Sequence, residues 1–226
     1  ACVFGGYLMT VFGWRPVFIL FGLASLLWLV PWLTSTRDAS RHADRPKPHA
    51  APSFLEIISK RAAWGACLGH FCANYAFYFV ILWLPLYLVN ARGLSVSEMA
   101  VTGGVIYVVY AISAQVTGLV SDAWMRAGAS ATRVRKTFAV AAHLGAAVCL
   151  AVCVTAGRDL AILSLLLAGI CFGFSTPTIY AIGQTLAGPR AGGKWVAVQN
   201  CVGNAAGIVA PAITGYIVDR TGQFNL

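Results

Sequence analysis

Uncharged stretches alternate with short charged gaps along the chain, and this spacing predicts its secondary structure. Runs 16–36, 62–91, 99–121, 137–157, 160–189 and 195–218 contain no Asp, Glu, Lys or Arg. A helix crosses the hydrocarbon layer with about 20 apolar residues, so each run predicts one membrane-crossing helix. Polar positions are shared unequally among the six. Segment 62–89 carries His70, Asn74 and Tyr78 at i, i+4 and i+8, one face of a helix. Segment 99–121 carries Tyr107, Tyr110, Gln115 and Thr117. Segment 160–187 carries Ser175, Thr176, Thr178, Tyr180 and Gln184 around Pro177, and segment 195–218 carries Gln199, Asn200 and Asn204. Segment 16–33 has little beyond Ser25, and 137–156 little beyond His143 and Thr155. Lipid offers no hydrogen-bond partners, so polar side chains turn toward protein or a wet cavity. Four helices are expected to surround a polar interior and two to stand outside it.

A polar side chain on such a helix serves equally as an interhelical hydrogen bond or as pathway lining. Asn74 and Asn200 each lie within about two turns of mid-membrane, where transporters place substrate sites, and are read as lining. His70, nearer one end, and His143, alone on a bland helix, are read as structural. The pairs Gly65/Gly69, Gly169/Gly173 and Gly203/Gly207 permit close helix approach. Pro177 and Pro211 predict kinks.

Composition agrees: 59% of residues are hydrophobic, 10% are charged and mean hydropathy is +0.75, which a water-soluble core does not require. The net charge of +9 falls unevenly. Twelve of the sixteen Lys and Arg lie in alternate connectors, at 37–61, 126–136 and 190–194; Arg15, Arg92, Arg158 and Arg220 occupy the others singly. Basic residues resist translocation, so the rich side reads as cytoplasmic, and nucleic acid is not an expected partner. The lipid bilayer is. Residues 34–61, with Pro46, Pro48 and Pro52 among mixed charges, read as a flexible cytoplasmic linker.

Residues 1–12 read as the last part of a helix. Gly6-Tyr7-Leu8-Met9 before Gly13 parallels Gly215-Tyr216-Ile217-Val218 before Gly222. That weak repeat suggests a fragment, beginning inside one helix and ending before another. The seven cysteines fall within the segments without a CxxC and read as small apolar groups. Metal-ligand spacing, a nucleophile triad, a phosphate loop and paired membrane carboxylates are all missing. No enzyme activity and no cofactor are therefore expected.

Gly13-Trp14-Arg15, the helix ending near Trp32, the basic linker and five further helices resemble helices five to eleven of the major facilitator superfamily. Gly69-His70-Phe71-Cys72-Ala73-Asn74-Tyr75-Ala76-Phe77-Tyr78, then Trp83-Leu84-Pro85-Leu86-Tyr87-Leu88, is similar to helix seven of its anion:cation symporter branch, which includes sialin and bacterial sugar-acid permeases. Ala187-Gly188-Pro189-Arg190, Gln199-Asn200, Gly203-Asn204 and Ala210-Pro211 resemble its helix ten–eleven region.

The resemblance implies an all-α bundle in three parts: residues 1–33 ending an N-terminal bundle, linker 34–61, and 62–226 forming a C-terminal bundle whose twelfth helix is missing. It implies proton symport of a small organic anion, such as a sugar acid, across a plasma membrane (a bacterial inner membrane) by alternating access. The main proton-binding acids and carboxylate-binding Arg would lie in the chain's missing helices. The expected substrate contacts here are Asn74, Tyr78, Ser175, Thr178 and Asn200. Gly118 and Asp122, with Arg126, Arg133 and Arg135, resemble the superfamily's cytoplasmic gate motif, although Ala123 stands where that motif has a basic residue. A same-fold exporter of drugs or amino acids is the second reading, and a non-transport membrane protein a distant third.

Overall fold

The computed structural model describes residues 8, 11–36 and 52–222. Expectations placed on residues 1–7, 9–10, 37–51 and 223–226, including the opening helix end and the middle of the linker, lie outside them. The chain divides into two units, Ala1–Ala50 and Ala51–Leu226, each taken here by itself.

In the first unit the predicted single helix is two, α1 (Trp14–Leu26) and α2 (Leu29–Thr36). Pro31 has no N–H and its ring crowds the carbonyl of Leu27, so the chain relaxes just before it. The N–H groups of Leu27 and Trp28 reach back three residues, to Ala24 and Ser25 (3.1 and 3.3 Å). Together the two helices form a membrane-length apolar span, Trp14–Ser35.

The second unit contains a short helix α3 (Phe54–Ile58) and the long helices α4 (Arg61–Leu86), α5 (Val96–Arg126) and α6 (Ala131–Thr155). A hydrogen-bonded run then continues from Arg158 to Asn204, broken at Gly188 (φ 68°, ψ 178°), a backbone state that glycine alone enters cheaply. It divides the run into α7 (Arg158–Gly188) and α8 (Arg190–Thr221). With the first unit's span, six membrane-length apolar helices are present among the described residues.

Three prolines lie inside the long helices of this unit. Pro177 sits inside α7 with helical backbone around it. In α8 the irregularity falls at Ala205, whose N–H reaches Val202 (3.3 Å), ahead of Pro211. After Pro85, which cannot donate to the Ile81 carbonyl, α4 widens into a π-helical turn, Tyr87–Ala91. There the Arg92 N–H bonds the Tyr87 carbonyl five residues back at 3.2 Å.

Short turns make successive long helices antiparallel, and α7 packs against α4, α5 and α6. Its Ala161, Leu165, Ala168 and Phe172 form the core with Leu84, Leu88, Ile106, Ala146 and Cys153. The opposite faces stay apolar: Val101, Val105, Val108, Ile112, Val116 and Leu119 line the outside of α5, all exposed. In water each such side chain would forgo about 1.5–3 kcal/mol of burial, so this stripe is built for lipid.

The last part of the expected linker is ordered. Ser53 caps α3: its hydroxyl accepts from Glu56 N–H (3.2 Å) while the Glu56 carboxylate accepts from Ser53 N–H (3.3 Å). Ile57 packs on Ala63 and Trp195, fastening α3 to the starts of α4 and α8.

Candidate functional site

The polar stripe of α4 meets α8 at two glycines. A methyl at Gly203 would come within 2.6 Å of the His70 ring, and one at Gly207 within 3.1 Å of the Tyr78 ring. The closeness needed for direct hydrogen bonds is therefore set by the absence of a side chain.

Asn204 is the hub of that contact. Its Oδ1 accepts from Tyr78 Oη at 2.8 Å and from Asn74 Nδ2 at 3.4 Å. Its Nδ2 donates to the carbonyl O and to Oδ1 of Asn200, both at 2.9 Å. Tyr180 Oη donates to the same Asn200 Oδ1 at 3.2 Å. One amide thus spends two donors and two lone pairs in joining α4 to α8, and Asn200 extends the network to α7. On the other wall Tyr110 Oη and Thr176 Oγ1 lie 2.8 Å apart, linking α5 to α7. His70, 2% exposed, stacks edge-on to Tyr180 with ring centres 5.4 Å apart.

These groups enclose a cavity of about 180 Å³, with Ser175 and the aromatic faces of Phe77 and Phe172 completing its lining. Ser175 is 6% exposed and its hydroxyl has no hydrogen-bond partner. No Asp, Glu, Lys or Arg is among the lining residues. Such a surface donates and accepts hydrogen bonds and stacks on rings, but supplies no counter-charge.

Three of the five expected contacts, Asn74, Tyr78 and Ser175, share this cavity. Asn200 does not line it and stands one layer behind Asn204. Thr178 faces its own helix, donating to the Phe174 carbonyl at 2.8 Å. Asn204, Tyr110, Thr176 and Tyr180, named in the sequence only as polar positions, join the lining, as does His70, which the sequence reads as structural. Only the pairing of Asn200 and Asn204 one turn apart signalled the hub in the sequence. His143 lies at an adjoining apolar cavity of about 220 Å³ between α4, α6 and α7, which shares Ala73, Phe172 and Ser175 with the first; its Nδ1 donates to Ala139 O at 2.7 Å. Ser25, in the first unit, donates to Gly22 O at 2.6 Å.

Of the gate residues, Gly118 and Asp122 lie inside α5, and Arg126 ends it. Asp122 is exposed and has no ion pair, since Arg158–Glu98 is the one salt bridge among the described residues. Arg135 Nη1 instead donates to the Ala181 carbonyl at 2.8 Å, holding the start of α6 to α7, while Arg133 is exposed. No group of three or more potential metal ligands occurs among the described residues.

Residues 1–211 match the family described as Major Facilitator Superfamily. The chain is 27% identical over 247 residues to the probable galactarate/D-glucarate transporter GudP of Bacillus subtilis (strain 168), covering 97% of this chain and 53% of that protein. It is 26% identical to the hexuronate transporter of the same organism (97% and 55% covered) and 27% identical to the chloroplastic ascorbate transporter of Arabidopsis thaliana (96% and 43%). The chain spans about half the length of the curated relatives it matches. Among solved structures, a bacterial homolog of the human lysosomal transporter Spinster, inward-facing and unoccupied, aligns with a TM-score of 0.59 at 20% identity, covering 97% of this chain and 52% of that one. That likeness concerns the fold alone.

Proposed function

Because the chain belongs to the Major Facilitator Superfamily, a family of transporters rather than enzymes, we propose that it is part of a secondary active carrier for a small polyhydroxylated organic anion, such as a sugar acid. The observation that carries this reading is the neutral cavity. Its amide and hydroxyl groups suit the hydroxyls of a sugar acid, and its lack of Lys and Arg leaves the carboxylate to the rest of the protein. The relatives named for galactarate, glucarate and hexuronate support a ligand of that chemistry.

In this reading Asn74 and Tyr78 contact the substrate directly. Each keeps hydrogen-bonding capacity that Asn204 does not use: Asn74 its Oδ1 and one N–H, Tyr78 its oxygen lone pairs. Ser175 offers an unpaired hydroxyl. Asn200 acts through Asn204, and Thr178 takes no direct part. Coupling is to protons, and the cavity lining offers no carboxylate to bind them. Residues 1–33 end one bundle and 62–226 form most of another, and the basic connectors face the cytoplasm across a bacterial inner membrane. Gly118, Asp122 and the arginines at 126, 133 and 135 belong to the cytoplasmic gate, which requires partners outside the described residues.

Reconstitution of the full-length protein in proteoliposomes tests this reading. Inward-directed proton gradients should drive accumulation of galactarate or hexuronate. Absence of organic-anion uptake at every pH, with export of a drug or amino acid instead, would replace it.

A further inference from the structure

At the basic end of the second unit, α3 is an amphipathic turn whose apolar arc is wider than its contact with the bundle. Ile57 is 1% exposed against Ala63 and Trp195, whereas Phe54 and Leu55 beside it are 55% and 75% exposed, and Ile58 and Trp64 also stand open. The turn is rigidly seated. Its N-terminus carries the Ser53–Glu56 capping box, and Trp64 Nε1 donates to Ile58 O at 2.7 Å. Lys194 Nζ donates to Pro52 O at 3.1 Å and lies 5.7 Å from the centre of the Phe54 ring. Uncovered apolar side chains on a fixed element need an apolar neighbour.

The charges say which neighbour. Lys60 and Arg61 open α4, and Arg190 and Lys194 open α8, the two helices to which Ile57 fastens α3. None of the four has an ion pair among the described residues. The sole acid of α3, Glu56, is engaged by the Ser53 N–H. Four cations at the starts of the two membrane helices on which the apolar turn is seated, one of them over the Phe54 ring, match the boundary between acyl chains and phosphate headgroups.

We propose that α3 and these four cations form a docking surface for anionic phospholipid in the adjoining leaflet. Leu55 and Phe54 enter the acyl boundary, and Lys60, Arg61, Arg190 and Lys194 contact headgroup phosphates. The surface lies apart from the cavity and does not depend on which substrate is carried.

The test uses the full-length protein in two ways. In detergent, added short-chain phosphatidylglycerol should raise the unfolding temperature at lower concentration than phosphatidylcholine does. Each of Lys60→Gln, Arg61→Gln, Arg190→Gln and Lys194→Gln should weaken the apparent phosphatidylglycerol affinity about fivefold. Equal affinity for both lipids, or variants that keep the preference, would overturn the proposal. So would inorganic phosphate alone reproducing the stabilisation, which would mark a free-phosphate site. In vesicles, a fluorophore on Leu55→Cys, in a background with the other cysteines replaced by alanine, should be quenched by lipids spin-labelled near the headgroup. Quenching should be stronger when phosphatidylglycerol is present. A fluorophore unquenched by lipid, whether open to water or buried against protein, would contradict the assignment.

Discussion

Helix α4 makes two polar contacts of opposite character, and their difference separates what holds the unit together from what can receive a ligand. Midway along, it meets α8 through neutral groups: Asn74 and Tyr78 on Asn204. At its end it meets α6 through a guanidinium. Arg92 donates to the carbonyls of Cys153, Val154 (3.3 Å) and Ala156 (2.8 Å), with its Nε on Tyr87 Oη at 2.6 Å. Tyr87 in turn donates to Cys153 O at 2.9 Å. Those carbonyls lie at the C-terminus of α6, where a helix has unpaired acceptors and a negative dipole end. Four hydrogen bonds from one guanidinium make this the stronger joint. The neutral bonds at mid-helix are worth about 1 kcal/mol each and exchange readily with a ligand's hydroxyls.

Breaking the stronger joint should have the largest effect. Arg92→Leu removes the guanidinium donor from the Tyr87 oxygen and from the Val154 and Ala156 carbonyls, leaving the Tyr87–Cys153 bond alone at the joint, so stability should fall by roughly 3 kcal/mol, or about 6 °C or more in Tm, with substrate affinity nearly unchanged. Thermal unfolding and uptake assays on the same preparation check both halves.

Asn204→Leu should reverse that pattern. It leaves Tyr78, Asn74 and Asn200 without their shared partner, and substrate affinity should drop about 5- to 150-fold, equivalent to about 1–3 kcal/mol. A loss of stability as large as that of the Arg92 variant, with affinity retained, would make the hub structural.

Asn74→Ala removes one contact and should cost about 2- to 13-fold in affinity. Uptake measured against external pH should keep its shape, because an amide does not titrate. A displaced profile would place this residue in the proton pathway.

Thr178→Val should be smallest. Its hydroxyl serves only its own helix, so affinity measured by competition should shift by less than about twofold.

Much of this contrast is legible in the sequence, because burial in lipid leaves few choices. Charge-free runs of membrane length become membrane-length helices, and the spacing of His70, Asn74 and Tyr78 puts them on one face whatever the tertiary detail. What the sequence does not resolve is rotation about a helix axis within one turn. Asn200 and Asn204 are equivalent by spacing, and only the approach of α8 to α4 at Gly203 and Gly207 makes the second one the hub. Thr178 has a similar ambiguity, since threonine satisfies itself on its own backbone as easily as it faces a cavity. Other features had readable signals. Pro31 marks the break between α1 and α2, and Ser53 with Glu56 three residues later is a capping-box pattern for α3 inside a segment expected to be flexible. The Arg92 joint was not legible, because its acceptors are backbone carbonyls, which every sequence has.

The central claim, that the neutral cavity reads substrate hydroxyls, is tested most directly by a double-mutant cycle between protein and ligand. Affinities of the full-length protein and of Asn74→Ala would be measured for a transported sugar acid and for its series of monodeoxy analogues. For at least one hydroxyl, its removal should weaken binding to the native protein about 2- to 13-fold and leave the variant's affinity unchanged. Penalties that simply add at every position would contradict the account and place the substrate elsewhere.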